Sequence, residues 1–237
     1  MLTVAILAGG LATRLRPITQ VIPKVLIKVA GKPFICHQLN YLRAQGIHSV
    51  VLCIGYLGEM IKDVVGDGSR WDMHVSYSSD GPDLLGTGGA IRQALPILGE
   101  HFFILYGDSY LSINFSDVEK AYLSSAKNGL MTVLKNQDQW DRSNVEFSAG
   151  LIVEYNKITQ RPQMHHIDYG LGILKQSTFG AYPLGYHFDL AMVYNKLSLT
   201  GDLAGYEVFD RFYEIGSLQG IIETNKYLLE SATKDGL

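Results

Sequence analysis

The stretch "VAILAGGLATRLRPITQVIPKVLIKVAGKP", from Val4 to Pro33, changes character within a few residues. Its first part is short, apolar and rich in β-branched residues, which is typical of a buried strand in a parallel sheet, and a strand is predicted over residues 2–8. Gly9 and Gly10 follow directly. Because ligands usually bind at the carboxyl ends of parallel strands, a glycine-bearing loop at this position indicates a ligand site.

Beyond this stretch, short apolar runs alternate with amphipathic segments. This alternation predicts an α/β sandwich with a mainly parallel sheet. The loop after Ala8 and the pair Gly107-Asp108 should then meet at one edge of the sheet, because both follow predicted strands. Strands are predicted over 2–8, 49–56, 73–79, 101–109 and 130–136, and helices over 33–46, 58–68, 87–98 and 116–129, with Ser116 as the N-cap of the last helix.

The pattern changes after about residue 140, where strand-like segments become more frequent. No linker rich in proline or serine separates the two parts, so one domain is expected over 1–237, with the second part elaborating the first. The second part is predicted to contain a hairpin over 144–158 that turns at Ala149-Gly150, a strand over 165–175, a helix over 188–201, a strand within 206–216 and a closing helix over 217–230.

Charge and composition exclude several classes of partner. The formal net charge of −3 argues against general binding to nucleic acid or to an anionic membrane, which needs a basic surplus. Cys36 and Cys53 form no Cys-x-x-Cys pair and lie in apolar surroundings, so we expect buried thiols in a reducing cytoplasm. No apolar run is long enough to cross a bilayer, and no signal peptide is evident.

The loop after the first strand carries groups that suit a polyphosphate. Glycines allow a close approach of backbone amides to a ligand, and Thr13 adds a hydroxyl. Arg14 offers a planar set of donors for phosphate oxygens, and Lys24 supplies a compact charge after Pro23. Neither the dinucleotide-binding fingerprint nor the Walker pattern is present. On composition alone, a tight turn with solvated arginines remains the alternative.

The whole pattern is more specific. "LAGGLATRLRPITQVIPK" resembles the signature of the sugar-1-phosphate nucleotidylyltransferases, and departs from it at Ala12, where a glycine is usual. The resemblance continues through "LLGTGGAI" (84–91), "LYGDS" (105–109) and "FYEIGSLQGI" (212–221), and covers nearly the whole chain. It implies a Rossmann-like three-layer sandwich of the nucleotide-diphospho-sugar transferase type. It also implies a nucleotide-binding part over 1–140 and a sugar-binding part over 141–237.

The resemblance implies the reaction and most of the site. The family joins a nucleoside triphosphate to a sugar 1-phosphate, giving a nucleotide sugar and pyrophosphate. Arg14 and Lys24 are the candidate catalytic residues, and Mg²⁺ is the implied cofactor, held by Asp108 and Glu214, with Asp210 as a competitor of Glu214. The candidate nucleotide-binding residues are Leu7, Ala8, Gly9, Gly10, Thr13, Asp80, Gly86 and Thr87, and the candidate sugar-phosphate-binding residues are Asn144, Lys157 and Asp168.

The substrates stay open at this level. Asp80 could accept hydrogen bonds from guanine or from uracil, and the chain resembles both the heptose 1-phosphate guanylyltransferases and the N-acetylmuramate 1-phosphate uridylyltransferases. We favour GTP and a heptose 1-phosphate. Transfer to a non-sugar phosphate and a nucleotide-sensing paralogue without turnover are the alternatives. Assembly into homo-oligomers is left open. His165 and His166 are not expected to share a metal ion, because neighbours on a strand point to opposite faces, and both are expected at the rim or surface.

Overall fold

The chain is described by a computed structural model that covers residues 1–136, 138–140 and 142–234. Strand segments from both parts of the chain enter one large sheet, and two pairs of short strands lie outside it. The strands are β1 (Thr3–Leu7), β2 (Lys28–Val29), β3 (Lys32–Pro33), β4 (Ser49–Ile54), β5 (His74–Ser79), β6 (His101–Tyr106), β7 (Ser109–Tyr110), β8 (Gly129–Lys135), β9 (Val145–Ser148), β10 (Leu151–Tyr155), β11 (His166–Lys175), β12 (Leu203–Val208) and β13 (Tyr213–Glu214).

The large sheet has nine strands within the described residues, in the order β5-β4-β1-β6-β11-β8-β12-β10-β9. It is parallel from β5 to β6 and again between β8 and β12. Strands β9, β10 and β11 of the second part enter antiparallel. The predicted α/β sandwich with a mixed sheet is therefore confirmed, and the second part extends the sheet of the first.

Helices cover both faces of the sheet. The chain steps from β1 through β4 to β5, and then returns to β6 on the other side of β1. Because crossovers between parallel strands are right-handed, this reversal places the third helix on the face opposite to the first two. The helices are α1 (Phe34–Ala44), α2 (Gly58–Val65), α3 (Gly86–Leu98), α4 (Phe115–Ser125), α5 (Ala191–Leu199) and α6 (Leu218–Lys234).

The core forms one apolar layer on each face of the sheet. Alternate residues of β1 face opposite layers, with Val4 and Ile6 packing with α1, α2 and α4, and Ala5 packing with α3 and α5. A smaller cluster, which includes Phe34 and Ile215, holds α6 against the β2–β3 hairpin and the start of α1. Among the described residues, no helix is long and apolar enough to cross a membrane.

One predicted helix boundary is wrong. The side chain of Asn114, not that of Ser116, caps α4 by accepting a hydrogen bond of 3.2 Å from the backbone amide of Asp117. The helix begins at Phe115, whose side chain is fully buried in the core, so the N-cap lies two residues before the predicted one. Both asparagine and serine are good N-caps, so packing decided between them.

Candidate active site

Three parallel strands stop at the same level of the sheet. Leu7, at the end of β1, pairs with Cys53 on β4 and with Tyr106 on β6. The loops that follow these strands line a cleft of about 490 Å³, called the main cleft below. Of the sequence-predicted site residues, the main cleft is lined by Leu7, Ala8, Gly9, Gly10, Thr13, Arg14, Lys24, Asp80, Gly86, Thr87 and Asp108.

The loop after β1 is shaped by a close backbone contact and by a left-handed residue. A Cβ on Gly9 would lie 2.8 Å from the amide nitrogen of Gly55, so only glycine lets the two loops approach this closely. Ala12 adopts φ 46° and ψ 50°, a conformation that glycine adopts without strain. The carbonyl of Ala12 accepts a hydrogen bond of 2.9 Å from the Thr19 hydroxyl. The chain therefore keeps a turn of the left-handed kind although the usual glycine is replaced.

Lys24 and Asp108 meet in the main cleft. The Lys24 Nζ lies 2.5 Å from Asp108 Oδ2, and both side chains are about a quarter exposed. Gln38, on α1, donates hydrogen bonds of 3.1 Å and 2.8 Å to the carbonyls of Tyr106 and Ser109, on either side of the turn that carries Asp108. This buried amide fixes the turn, so the carboxylate is presented to the cleft from a rigid support.

Glu214 reaches the same place from the far end of the chain. Strand β13 pairs antiparallel with β7, opposite Ser109, and the Ile215 amide donates a 2.9 Å hydrogen bond to the Asp108 carbonyl. A Cβ on Gly216 would lie 2.8 Å from Glu214 Oε2 and 3.4 Å from Asp108 Oδ2. Both carboxylates therefore approach the backbone at Gly216.

This donor set suits a Mg²⁺ ion. Magnesium is usually bound in proteins by one or two carboxylates together with substrate phosphates and water. Among the described residues, no group of three or more His, Cys, Asp or Glu side chains could hold a metal ion. The Glu214 carboxylate also accepts hydrogen bonds from the Gly216 amide and from the Ser217 hydroxyl, the latter at 2.6 Å. These bonds fix both carboxylate oxygens against the segment that leads into α6.

Asp210, the alternative to Glu214 as the second metal ligand, is exposed and lies near Tyr169. Burial, together with the nearby charge of Asp210, raises the pKa of Tyr169. Glu214, in contrast, lies on a strand that pairs with the segment next to Asp108. This placement favours Glu214 as the second carboxylate.

The other wall of the main cleft is formed by Asp80 and the start of α3. Asp80 Oδ2 accepts a hydrogen bond of 3.1 Å from the Leu85 amide, so one carboxylate oxygen supports this turn and a base would be read with the other. Burial raises the pKa of Asp80, while the bond from Leu85 and the charge of His187 act in the opposite direction. Gly86 adopts φ 71° at the first position of the helix.

The candidate sugar-side residues lie together, apart from the loop after β1. Asn144 and Lys157 line a second hollow of about 240 Å³, with Arg142, Ser143, Asn156 and Gln160. Asn144 Oδ1 accepts a hydrogen bond of 3.3 Å from the Asp168 amide. Burial raises the pKa of Asp168 to about 6, although the Gly170 amide and the charge of Lys157 offset part of the shift. The three predicted residues thus form one group just before β9, just after β10 and near the start of β11.

Buried phenols adjoin this group. Tyr106 lines the main cleft, and neither its hydroxyl nor that of Tyr155 has a hydrogen-bond partner among the described residues. Burial raises the pKa of both phenols far above its ordinary value, and the charge of Asp168 adds to the effect. Both unpaired hydroxyls are enclosed in the protein and not exposed to the cleft.

Sequence reasoning missed three residues of the cleft region: Tyr106, His187 and Asp189. Asp189 Oδ1 accepts a hydrogen bond of 2.8 Å from the Ala191 amide at the start of α5. An acidic residue before an apolar helical pattern is ordinarily a cap, so the sequence held no signal for its further contacts. His187 lines the main cleft opposite Asp80 because the segment before α5 folds back onto α3.

The placement predicted for the histidine pair is half wrong. His165 is exposed, but His166 is only 9% exposed, and its Nε2 lies 3.1 Å from Glu207 Oε1. The ring also contacts Phe147 edge to face. A polar partner on the neighbouring part of the sheet and an aromatic neighbour make this histidine a residue of the core, which a strand pattern alone does not reveal.

Comparison with known proteins identifies the class of protein that this fold and cleft define. Residues 3–144, more than half of the chain, match the family model described as Nucleotidyl transferase. The chain belongs to the nucleotidyl transferase family. Within that family it is a sugar-1-phosphate nucleotidylyltransferase, as the resemblance in its sequence predicts, and its relatives carry names of that kind.

Two curated relatives and one solved structure illustrate the similarity. The chain is 32% identical over 187 residues to D-glycero-alpha-D-manno-heptose 1-phosphate guanylyltransferase of Campylobacter jejuni, covering 78% of this chain and 80% of the relative. It is 41% identical over 112 residues to N-acetylmuramate alpha-1-phosphate uridylyltransferase of Neisseria meningitidis, covering 47% of this chain and only 48% of that relative. The fold matches HddC from Yersinia pseudotuberculosis, complexed with GMP-PN, with a TM-score of 0.82, 24% identity and coverage of 96% and 100%.

Proposed function

We propose that the chain transfers a guanylyl group from GTP to a heptose 1-phosphate, releasing pyrophosphate and forming a nucleotide sugar. The observation that carries the reaction is the meeting of Lys24, Asp108 and Glu214 where β1 and β6 end, beside a cleft large enough for a nucleotide. The choice of GTP and heptose is supported by the relative that covers 78% of the chain.

The chemistry needs no general base, since the sugar phosphate is already an anion at neutral pH. One of its oxygens attacks the α-phosphorus of the triphosphate. The bond from that phosphorus to the oxygen bridging to the β-phosphate breaks, and the electron pair leaves with pyrophosphate. The obstacle is repulsion between two anions, so positioning and neutralisation of charge should supply most of the rate.

The residues of the main cleft divide this task between them. The backbone amides of Gly9 and Gly10 and the Thr13 hydroxyl contact the triphosphate. Arg14, exposed at the cleft wall, binds the β- and γ-phosphates and stabilises the departing pyrophosphate. Lys24 contacts the α-phosphate, where the new bond forms.

Enzymes of this family generally use a divalent metal ion, and we propose Mg²⁺ held by Asp108 and Glu214. When bound, the ion neutralises charge on the phosphate oxygens. The pairing of β7 with β13 holds the two carboxylates close together, and the Lys24 ammonium limits the repulsion between them.

Recognition of the base and the sugar falls to the remaining candidates. Asp80 accepts hydrogen bonds from the guanine edge with the carboxylate oxygen that does not support Leu85. Lys157 binds the phosphate of the sugar phosphate, and Asn144 and Asp168 bind sugar hydroxyls. Residues 1–140 thus bind the nucleotide and 141–237 the sugar within one domain, and we place the activity in the cytoplasm.

The experiment is a panel of nucleoside triphosphates against sugar 1-phosphates, with pyrophosphate release as the rate and mass spectrometry of the product. We expect the highest kcat/KM with GTP and a heptose 1-phosphate. Turnover with another pair of substrates would correct the assignment of base and sugar and would leave the type of reaction unchanged. If the chain bound a nucleotide but released no pyrophosphate with any pair of substrates, the proposed enzymatic function would be wrong, and a nucleotide-sensing role would be favoured.

A second candidate is uridylyl transfer from UTP to an N-acetylmuramate 1-phosphate. It is favoured by the higher identity, 41%, to the relative of that name. It is also favoured by Arg142 and Lys157 in the hollow of about 240 Å³, because two cations suit a sugar that carries a carboxylate. The same panel separates the two candidates, since only one pair should give a product of the matching mass.

A further inference from the structure

The segment before α5 is fastened to the amino terminus of α3. The Phe188 carbonyl accepts hydrogen bonds of 2.9 Å and 3.4 Å from the amides of Gly88 and Gly89, and the Phe188 amide donates one of 3.0 Å to the Leu85 carbonyl. A Cβ on Gly88 would lie 2.2 Å from the Phe188 ring. A segment of the second part of the chain is therefore tied to the turn that forms the nucleotide wall of the main cleft.

Asp189, the next residue, gathers three donors from three elements onto one oxygen. Its Oδ1 accepts from the Ala191 amide at 2.8 Å, from the Thr87 hydroxyl at 3.1 Å and from the Lys157 ammonium at 3.5 Å. The Thr87 hydroxyl in turn accepts a 2.9 Å bond from the Leu190 amide. Thr87 lines the main cleft and Lys157 lines the second hollow, so this carboxylate is the link between the two cavities.

The electrostatics agree with an ionised link. Burial alone would raise the pKa of Asp189. The hydrogen bond from the Ala191 amide, the charge of Lys157 and the Thr87 hydroxyl together hold that pKa below its ordinary value. The carboxylate is therefore charged at neutral pH, and Lys157 faces a fixed negative group.

We propose that Asp189 is a positioning residue that holds Lys157 towards the turn at Thr87, so that the sugar phosphate is aligned with the triphosphate. The inference rests on the proposed function, in which Lys157 binds the sugar phosphate. Lysine has three ammonium protons on a flexible four-carbon stem. One proton held by Asp189 orients the stem and leaves the others for phosphate oxygens. An exposed ion pair of this kind contributes little to stability, so its removal should change substrate binding more than folding.

The first test is Asp189→Asn, which keeps an oxygen acceptor for the Ala191 amide and the Thr87 hydroxyl but removes the charge that faces Lys157. We expect the KM for the sugar phosphate to rise about tenfold, the KM for the triphosphate to stay within twofold, and the melting temperature to stay near that of the wild type. Asp189→Ala also releases Thr87 and should raise both KM values. Asp72→Asn removes an ion pair with Arg43 outside the main cleft and is the matched control.

A double-mutant cycle tests whether Asp189 acts through Lys157. Replacing Lys157 by Met removes the ammonium but keeps an unbranched side chain. If the proposal is right, Asp189→Asn has little further effect on kcat/KM in the Lys157→Met background, because the group that it orients is gone. The proposal is overturned by a sugar-phosphate KM that Asp189→Asn leaves within twofold, or by a tenfold loss that persists without Lys157.

The result of the double-mutant cycle does not depend on which base and which sugar the enzyme uses. Each ratio is taken against the wild-type enzyme with whichever triphosphate and sugar phosphate it turns over, so an error in base or sugar changes the reagents and not the result of the cycle. A sensing protein without turnover would overturn the proposed function and this inference together. An additive cycle in an active enzyme overturns the role of Asp189 alone.

Discussion

The main cleft and the second hollow are built in different ways. The main cleft is lined largely by loops that follow neighbouring parallel strands, and the pairing of Leu7 with Cys53 and Tyr106 makes these loops start at one level. The second hollow is lined by side chains from the segment just before β9 and the segment just after β10, and Lys157 links it to the segment before α5. A site at parallel strand ends is specified by backbone register, whereas the hollow depends on side chains that meet only in the finished fold.

The largest effect should come from the cations and carboxylates of the main cleft. Lys24→Ala or Asp108→Ala should lower kcat by roughly 10²–10³, because each removes a group placed where charge develops. The measurement is steady-state pyrophosphate release with saturating substrates. Lys28→Ala, on β2 and outside the main cleft, is the control and should keep the wild-type rate. Losses of only a few-fold at Lys24 and Asp108 would show that the main cleft does not carry the chemistry.

Substitution of Glu214 should have the next largest effect on the rate. Glu214→Gln removes one of two candidate carboxylates and should lower kcat by roughly 10²-fold, while raising the Mg²⁺ concentration needed for half-maximal rate. Asp210→Asn should change both quantities by less than threefold, since Asp210 lies beside Tyr169. A larger effect at Asp210 than at Glu214 would reverse the assignment of the second carboxylate.

On the sugar side the expected effect is smaller and depends on pH. The pKa of Asp168 is raised to about 6, so the carboxylate is mostly ionised at pH 7.5 and is expected to accept hydrogen bonds from sugar hydroxyls. As the pH falls through about 6, protonation should raise the KM for the sugar phosphate several-fold. In the Asp168→Asn variant the KM should be higher at pH 7.5 than in the wild type, and it should no longer rise as the pH falls through about 6. An unchanged pH profile in the variant would exclude Asp168 from sugar binding.

The smallest effect is predicted at the turn that departs from the usual signature. Ala12→Gly relieves a positive φ and should raise the free energy of unfolding by up to about 1 kcal/mol, with kcat within twofold of the wild type. Ala121→Gly, inside α4, is the contrasting variant and should lower it by about 1 kcal/mol. Denaturant unfolding measures both. A destabilised Ala12→Gly variant would mean that the turn carries no strain.

The same contrast explains what the sequence could predict. The strands that form the main cleft, the loop with Arg14 and Lys24, and the carboxylate of Asp108 follow from apolar runs and a long signature. Asp189 could not be predicted, because its hydrogen bonds to Thr87 and Lys157 span 102 and 32 residues and its local pattern is that of a helix cap. The predictions for Ser116 as an N-cap and for His166 at the surface are wrong for a related reason, since the burial of Phe115 and of His166 is decided by the finished fold.

The central claim is that the triphosphate lies against the loop from Gly9 to Lys24 with its phosphates beside Asp108. The direct measurement is a crystal structure of the protein soaked with a non-hydrolysable GTP analogue and Mg²⁺. The account predicts the phosphates within hydrogen-bonding distance of Arg14 and Lys24, and the ion shared by Asp108, Glu214 and a phosphate oxygen. An analogue bound elsewhere, or bound in this cleft with its phosphates turned away from these side chains, would contradict it.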